Sequence, residues 1–478
     1  MLYVARALWE ALGIGPLLRA KMQQTGCEAP HDLALLAMTA HRLARPGSKL
    51  ACHEQWLADD VYWPEAHALA LEHLYRAMDF RLCHIEALAQ ETFLRIADLF
   101  NADVDLIFWD TTTLYCEIDE EDEESEQWQT RLIPARRKRG PNKEGRDNNP
   151  QVVVGLARTR DGLPVRSWVF PGNTADVTTS THLKDDLRGW RWNRCVFVGD
   201  SGMFSEANRQ RLSRALGRYI LAVPMRKVTE VSLDVLTRPG RYRDVAPNLR
   251  VKEVYVGEGE RRQRDVVCHN PDEAAREQAH RARLLELVWA ELATLDGRQA
   301  DHPKKACELM AARRFGRYLR MDARGRLSID MTKVAAEAKY DGKFVVTTND
   351  DTLDAADVAL GYKSMTLIEG CFRQIKTTGR QTRPLYHWRP HRLIAHVKLC
   401  VLALLLERAA ESRCQQTWRT IRHTLEQLQV VRYRMHGKTI VQSTQVTAPI
   451  AAMRRSLGVP LPKRILEVSD EAHPPSLS

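Results

Sequence analysis

The sequence predicts an α/β protein: a mixed sheet flanked by helices, interrupted by an insertion, with a helical N-terminal region and a small C-terminal one. Three observations predict it. Apolar residues recur at helical spacing through the first hundred positions, as in Leu33-Ala34-Leu35-Leu36-Ala37-Met38. Three runs rich in β-branched and aromatic residues then follow one another. After them helical and strand patterns alternate.

Taken in order, residues 1 to about 100 read as helical, including His67 to Leu74, with breaks at Pro46-Gly47-Ser48 and Trp63-Pro64. DNA binding, dimerisation and plain helical packing all fit this segment. From Val104 the period changes. Strands are expected over Leu106–Ile118, Val152–Leu156 and Pro164–Phe170, with a hairpin turn at Asp161-Gly162 between the last two. A helix (Thr178–Leu187), a strand (Cys195–Val198), a helix (Glu206–Leu216) and a strand (Tyr219–Val223) come next.

The stretch from Arg226 to Lys339 breaks that alternation and reads as an inserted surface subdomain. It holds strands Val251–Val256 and Arg264–Cys268. A helix then begins with Asn270 as N-cap, Pro271 at its first position and Asp272-Glu273 in its first turn, running to about Leu295. Lys343–Thr348 restores a strand, Tyr362–Lys376 is a helix, and after Pro384 a long helix covers Arg392–Ala409. One helix and strands Val430–Met435 and Thr439–Gln442 are expected in the remainder. The division is therefore 1–100, 103–225, 226–339, 340–410 and 411–478.

Composition narrows the function. A chain of 478 residues exceeds a single compact core, and 44% hydrophobic with 28% charged residues is ordinary for a soluble protein. The excess of 71 Lys and Arg over 61 Asp and Glu gives +10. Arg is prominent in it and binds phosphate bidentately, so nucleic acid is a natural partner. Ten cysteines are scattered singly, and the adjacent pairs Cys83-His84 and Cys268-His269 are poor chelators, so neither a disulfide framework nor a zinc site is indicated. Reduced thiols point to the cytoplasm. The longest apolar run, Val401–Leu406, falls far short of the roughly 20 residues of a membrane span, so no membrane partner is expected.

Two opposite charge blocks adjoin: acidic Asp119–Glu126 and basic Arg131–Arg146. They read first as a solvated connection, with the basic half as a second-choice phosphate contact. Trp168, Trp190 and Trp192 read as core residues ahead of base-stacking ones, and His387 and His396 as structural ahead of residues that approach DNA.

Three acidic residues carry the chemistry. Asp110 follows Leu106-Ile107-Phe108-Trp109, Asp200 follows Val196-Phe197-Val198-Gly199, and Glu369 lies in Leu367-Ile368-Glu369-Gly370-Cys371-Phe372-Arg373-Gln374-Ile375-Lys376. Carboxylates are hard oxygen ligands suited to Mg²⁺, whereas Cys and His would select zinc or iron. Two divalent ions about 3.5–4 Å apart can activate a water and stabilise the leaving oxygen of a phosphodiester. Two ions at +4 against three carboxylates at −3 leave +1, which attracts the scissile phosphate. On one continuous helix Glu369, Arg373 and Lys376 share a face, a ligand followed by two phosphate-binding cations. A Glu369–Arg373 salt bridge is the plain alternative.

These segments resemble the DDE transposases of bacterial insertion sequences, in the group marked by a Tyr-x2-Arg-x3-Glu-x6-Lys signature. Here it reads Tyr362, Met365, Glu369, Lys376 with the spacing intact. Asp110-Thr111-Thr112-Thr113-Leu114-Tyr115, Gln151 to Leu156, Phe170 to Asp176, Gly199-Asp200-Ser201-Gly202-Met203 and Arg383-Pro384-Leu385-Tyr386-His387-Trp388 are similar too, in the same order over roughly 103–408.

The resemblance implies a ribonuclease-H-like core with an insertion before the Glu helix. It implies Asp110, Asp200 and Glu369 as ligands of two Mg²⁺ ions, with Mn²⁺ as a substitute. Tyr362 and Lys376 would hold transposon-end phosphates. Met365 stands where the signature has Arg, so that contact is either absent or supplied by Lys363 or Arg373. The implied activity is cleavage at insertion-sequence ends and transfer of the 3′-hydroxyl strands into target DNA by a homodimer on double-stranded DNA. A nuclease of the same core without strand transfer, and a decayed DNA-binding protein, are the alternatives.

Overall fold

The computed structural model describes all residues except 100–105, 143–144, 147, 188–194, 215–216, 229–233, 260–261, 297–301, 313, 379–384 and 471–478. The chain forms two compact units: Met1–Cys195 together with Ser364–Ser478, and Val196–Lys363.

The first unit is organised around the helix Pro390–Cys414. Its middle, residues 399–406, is an unbroken apolar run, which marks a segment buried on every side. Along one side Leu393 and Val397 join Leu114, Val152, Val154 and Val169 of a three-stranded antiparallel meander. Along the rest, Ala395, Leu399, Leu402, Leu406 and Ala409 share a core with Trp9, Leu12, Leu35, Met38, Leu74 and Met78 of the N-terminal helices. Those helices span Leu2–Ala11, Ile14–Gln24, His31–Ala44, Lys49–Ala51 with a π-helical continuation to Asp60, Leu71–Cys83 and Ile85–Leu99. They therefore share their apolar packing with the long helix.

The meander runs Leu106–Tyr115, Gln151–Arg158 and Pro164–Pro171. Its register pairs Asp110 with Leu156 and Leu156 with Ser167. The turn at Asp161-Gly162 joins the last two strands, with Gly162 at φ 85°, a conformation glycine adopts without strain. The first strand ends at Tyr115, short of the expected Ile118, and Cys116 makes one isolated parallel bridge to Leu385.

The charge blocks differ from a plain solvated loop. A short hairpin pairs Glu126–Trp128 with Arg131–Ile133. Asp122 is buried with Arg137 and accepts from the backbone N–H of Arg136 (2.8 Å) and Arg137 (2.9 Å) and from Arg137 Nε (2.6 Å). Those three bonds offset the desolvation that otherwise keeps such pairs at the surface. After the long helix come the helices Trp418–Glu426 and Ala448–Ser456 and a three-stranded sheet, Val430–Met435, Lys438–Ser443 and Ile465–Asp470, one helix and one strand more than expected.

The second unit is a six-stranded mixed sheet. Its strands lie in the order Val196–Gly199, Arg218–Val223, Lys343–Thr348, Gln263–His269, Leu249–Val256, Arg243–Ala246. The first two are parallel and the rest antiparallel. Strands expected inside the insertion thus extend the same sheet that holds 343–348, because Val266, Val267, Val345 and Val346 are apolar enough to be covered on both faces.

What stands apart is a lobe of Pro271–Asp296, His302–Ala311, a small hairpin and Met331–Ala338, with its own core of Leu284, Val288, Leu309, Phe315 and Tyr318. Asn270 caps its long helix, accepting from the N–H of Asp272 (3.1 Å) and Glu273 (3.2 Å). The helix Ala355–Lys363 lies on the sheet through Val358 and Ala359.

Candidate active site

Asp110 is fixed by strand register. Side chains alternate across a strand, so Phe108, Asp110, Thr112 and Leu114 share one face, the face covered by the helix Pro390–Cys414. Trp109 lies on the opposite face, packed edge-on to Trp168 with centroids 4.8 Å apart. Trp168 is thus a core residue, as expected, while Trp190 and Trp192 fall outside the described residues. The Asp110 carboxylate is half-buried and accepts from the N–H of Thr111 at 2.7 Å. Thr111, facing the other way, donates to Asp176 at the start of the helix Asp176–Leu187.

Glu369 lies on a helix packed against that strand. The expected single helix 362–376 is instead three pieces: Ala355–Lys363, Thr366–Arg373 and a π-helical stretch Gln374–Thr378. The break at Ser364-Met365 puts Tyr362 and Lys363 in the second unit and Glu369 in the first. The π turn also shifts the phase of Lys376, so Glu369, Arg373 and Lys376 do not form the straight row that an unbroken α-helix gives. Ile368, Cys371, Phe372 and Ile375 are the buried side, and Glu369 is exposed.

A residue not foreseen from sequence positions this helix. Arg158, cross-strand from Phe108, is fully buried, with its guanidinium carbon 4.2 Å from the Phe108 ring centroid. It donates to the carbonyls of Thr159 (2.7 Å) and Arg160 (3.2 Å) and to that of Ser364, two residues before the Glu369 helix. Burial lowers its pKa to about 10, still high enough to stay charged at neutral pH. Arg158 therefore ties the start of the Glu369 helix to the face that bears Asp110. An arginine ending the apolar run Val152–Ala157 was the available signal.

Asp200 is held differently. It follows the strand Val196–Gly199 and caps the 3₁₀ turn Ser201–Met203, accepting from the N–H of Ser201 at 2.5 Å. The Tyr362 hydroxyl lies 3.5 Å from the same oxygen, Oδ1. The Tyr362 ring packs on Phe344, centroids 5.5 Å apart. Both contacts fall on Oδ1, which leaves Oδ2 for a cation. Met365 is 9% exposed at the N-cap of the Glu369 helix, while Lys363 and Arg373 are exposed and Lys376 is half-buried.

Among the described residues no three His, Cys, Asp or Glu side chains are gathered into a metal-binding group. The donor set still fits hard cations: three carboxylates, each exposed or half-buried. His387 and His396 adjoin Lys49 in the helical core, with Lys49 Nζ 3.3 Å from His387 Nε2, in keeping with a structural role.

Comparison with protein families, not the geometry alone, gives the class. The transposase DDE domain family matches residues 127–404, and the chain belongs to that family. Among solved structures, the cryo-EM structure of a piggyBac transposase synaptic complex with hairpin DNA is similar, with a TM-score of 0.36 and 8% identity over 83% of this chain and 69% of that one. No curated protein matches the chain. Among the described residues no helix is long and apolar enough to cross a membrane.

Proposed function

We propose that this chain is a magnesium-dependent transposase that cuts DNA at the ends of its insertion sequence and joins the freed 3′-hydroxyls to target DNA. The observation that carries the proposal lies within the first unit, where the Asp110 strand and the Glu369 helix pack together and Arg158 ties them. Membership of the transposase DDE domain family supports it.

In this reading Asp110, Asp200 and Glu369 converge on DNA to hold two Mg²⁺ ions, with Mn²⁺ as a substitute, in a ribonuclease-H-like core. When bound, such ions lower the pKa of a water and stabilise the leaving 3′-oxygen. The chain's own part is to place the ligands and orient the phosphodiester. Asp110 and Glu369 supply carboxylates from one sheet face, and Asp200 presents Oδ2 because its Oδ1 is already engaged. Tyr362, Lys363, Arg373 and Lys376 bind end phosphates, Lys363 or Arg373 standing in for the arginine that Met365 replaces. A homodimer holds both ends on double-stranded DNA, with the five-part division of the sequence as its domain plan.

The test is Asp110→Asn. Cleavage of end-bearing DNA in Mg²⁺ should fall by about three orders of magnitude, the equivalent of roughly 4 kcal/mol of lost metal-mediated stabilisation, while DNA binding persists. Retained cleavage sinks the assignment of Asp110. Wild-type protein that hydrolyses pre-cut ends without joining them is a nuclease, and one that never nicks is a DNA-binding relic.

A further inference from the structure

We propose that the exposed segment Tyr386–Arg389 is a stacking surface for unpaired DNA bases; the proposal rests on the reading of the chain as an enzyme of DNA. The segment starts from a fixed point. Leu385 is buried and bridges Cys116, one residue beyond the strand that carries Asp110. From there the chain alternates as extended chain does: Tyr386 is 67% exposed and Trp388 62%, while His387 between them turns in towards Lys49.

Trp388 is held rather than merely left outside. Its carbonyl accepts from Arg137 Nη2 at 2.9 Å, and the Arg137 guanidinium carbon lies 5.7 Å from its ring centroid. Arg137 is itself locked by the buried Asp122. A buried ion pair thus supports a loop that displays two large rings to water. Singly exposed aromatics are unremarkable, but two rings two residues apart on an anchored backbone form a built surface.

The charges around it indicate what the surface takes. Arg389 is highly exposed, with Glu126 3.8 Å from its guanidinium, and Arg146, paired with Glu117 at 3.7 Å, stacks on Tyr115 at 4.5 Å where the Asp110 strand ends. Planar faces interleaved with cations match a ligand that has flat rings on an anionic backbone. Duplex DNA keeps its bases stacked on one another, so only unpaired nucleotides offer those faces. Cys116 is six residues from Asp110, about 20 Å along the strand. The surface therefore holds unpaired DNA away from the bond being cut.

The experiment uses the full chain in EDTA with two probes, a blunt duplex and the same duplex bearing a single-stranded 3′ overhang, read by fluorescence anisotropy. Wild type should bind the overhang probe more tightly. Trp388→Ala should weaken overhang binding about ten-fold and leave blunt binding unchanged; Trp388→Phe should keep most of the preference, and Tyr386→Ala should lose part of it. Tyr386→Ala decides if Trp388→Ala fails to fold. A wild type without preference, or a preference intact in both alanine variants, overturns the inference and leaves the transposase reading standing. Alanine variants that change only the oligomeric state by light scattering also overturn it, since the surface is then a protein contact. Wild type that binds neither probe overturns the reading beneath it.

Discussion

Asp110 and Asp200 look alike in sequence, each an aspartate after an apolar β-rich run, yet the protein positions them by opposite means. Asp110 lies inside a ten-residue strand and takes its direction from non-local pairing with Leu156. A one-residue slip would turn it to the other face. Asp200 follows a four-residue strand and is aimed by its own cap on the next turn. The first depends on packing a long way off in sequence, the second on its immediate neighbours. Their surroundings should therefore fail differently when mutated.

The largest difference is expected at Gly155. A Cβ there would stand 2.2 Å from Cη2 of Trp109, the neighbour of Asp110. Trp109 is only 1% exposed and is confined by Trp168, so the ring has nowhere to go. Overpacking of this kind costs about 1–3 kcal/mol. Gly155→Ala should lower Tm clearly and depress cleavage, because a displaced Trp109 drags the register that points Asp110. An unchanged Tm would mean that this strand tolerates rearrangement and that the contrast with Asp200 is weaker than drawn.

Asp200 should instead show a local, separable effect. Asp200→Ala removes the acceptor of the Ser201 N–H, a loss of about 1 kcal/mol for a typical cap, whereas Asp200→Asn keeps a capping oxygen. Both should abolish metal-dependent cleavage. Thermal melts should then rank wild type and Asn together above Ala, while activity assays put Asn and Ala together. Equal melting of the two variants would show that the cap contributes nothing and that other contacts aim Asp200.

This contrast also explains what could be read in advance. The meander, its turn at Asp161-Gly162, the Asn270 cap and the buried helix through Val401–Leu406 rest on local chemistry and periodicity, and each is present in the fold. The same locality made Asp110, within an apolar strand, and Asp200, just after one, recognisable. Non-local facts were not legible. No periodicity reveals that Arg158 reaches Ser364, or that strands 249–256 and 263–269 join the sheet of 343–348. The break before Glu369 was missed for a related reason. Ser364-Met365 carries neither Gly nor Pro, so nothing in the pattern marked an end to the helix.

The smallest effect, and the finest probe of the comparison, is expected at Tyr362. Its hydroxyl is 3.5 Å from Asp200 Oδ1, at the outer limit of a hydrogen bond. Its ring contact with Phe344 survives replacement by phenylalanine. Tyr362→Phe should therefore change stability by no more than about 0.5 kcal/mol, below the Ala–Asn difference at Asp200. If the hydroxyl serves DNA, affinity for end-bearing duplex should fall several-fold at unchanged Tm. A fall in Tm as large as that of Asp200→Ala, with DNA affinity intact, would make Tyr362 part of the scaffold that aims Asp200. In that case Asp200, like Asp110, would depend on a partner distant in sequence.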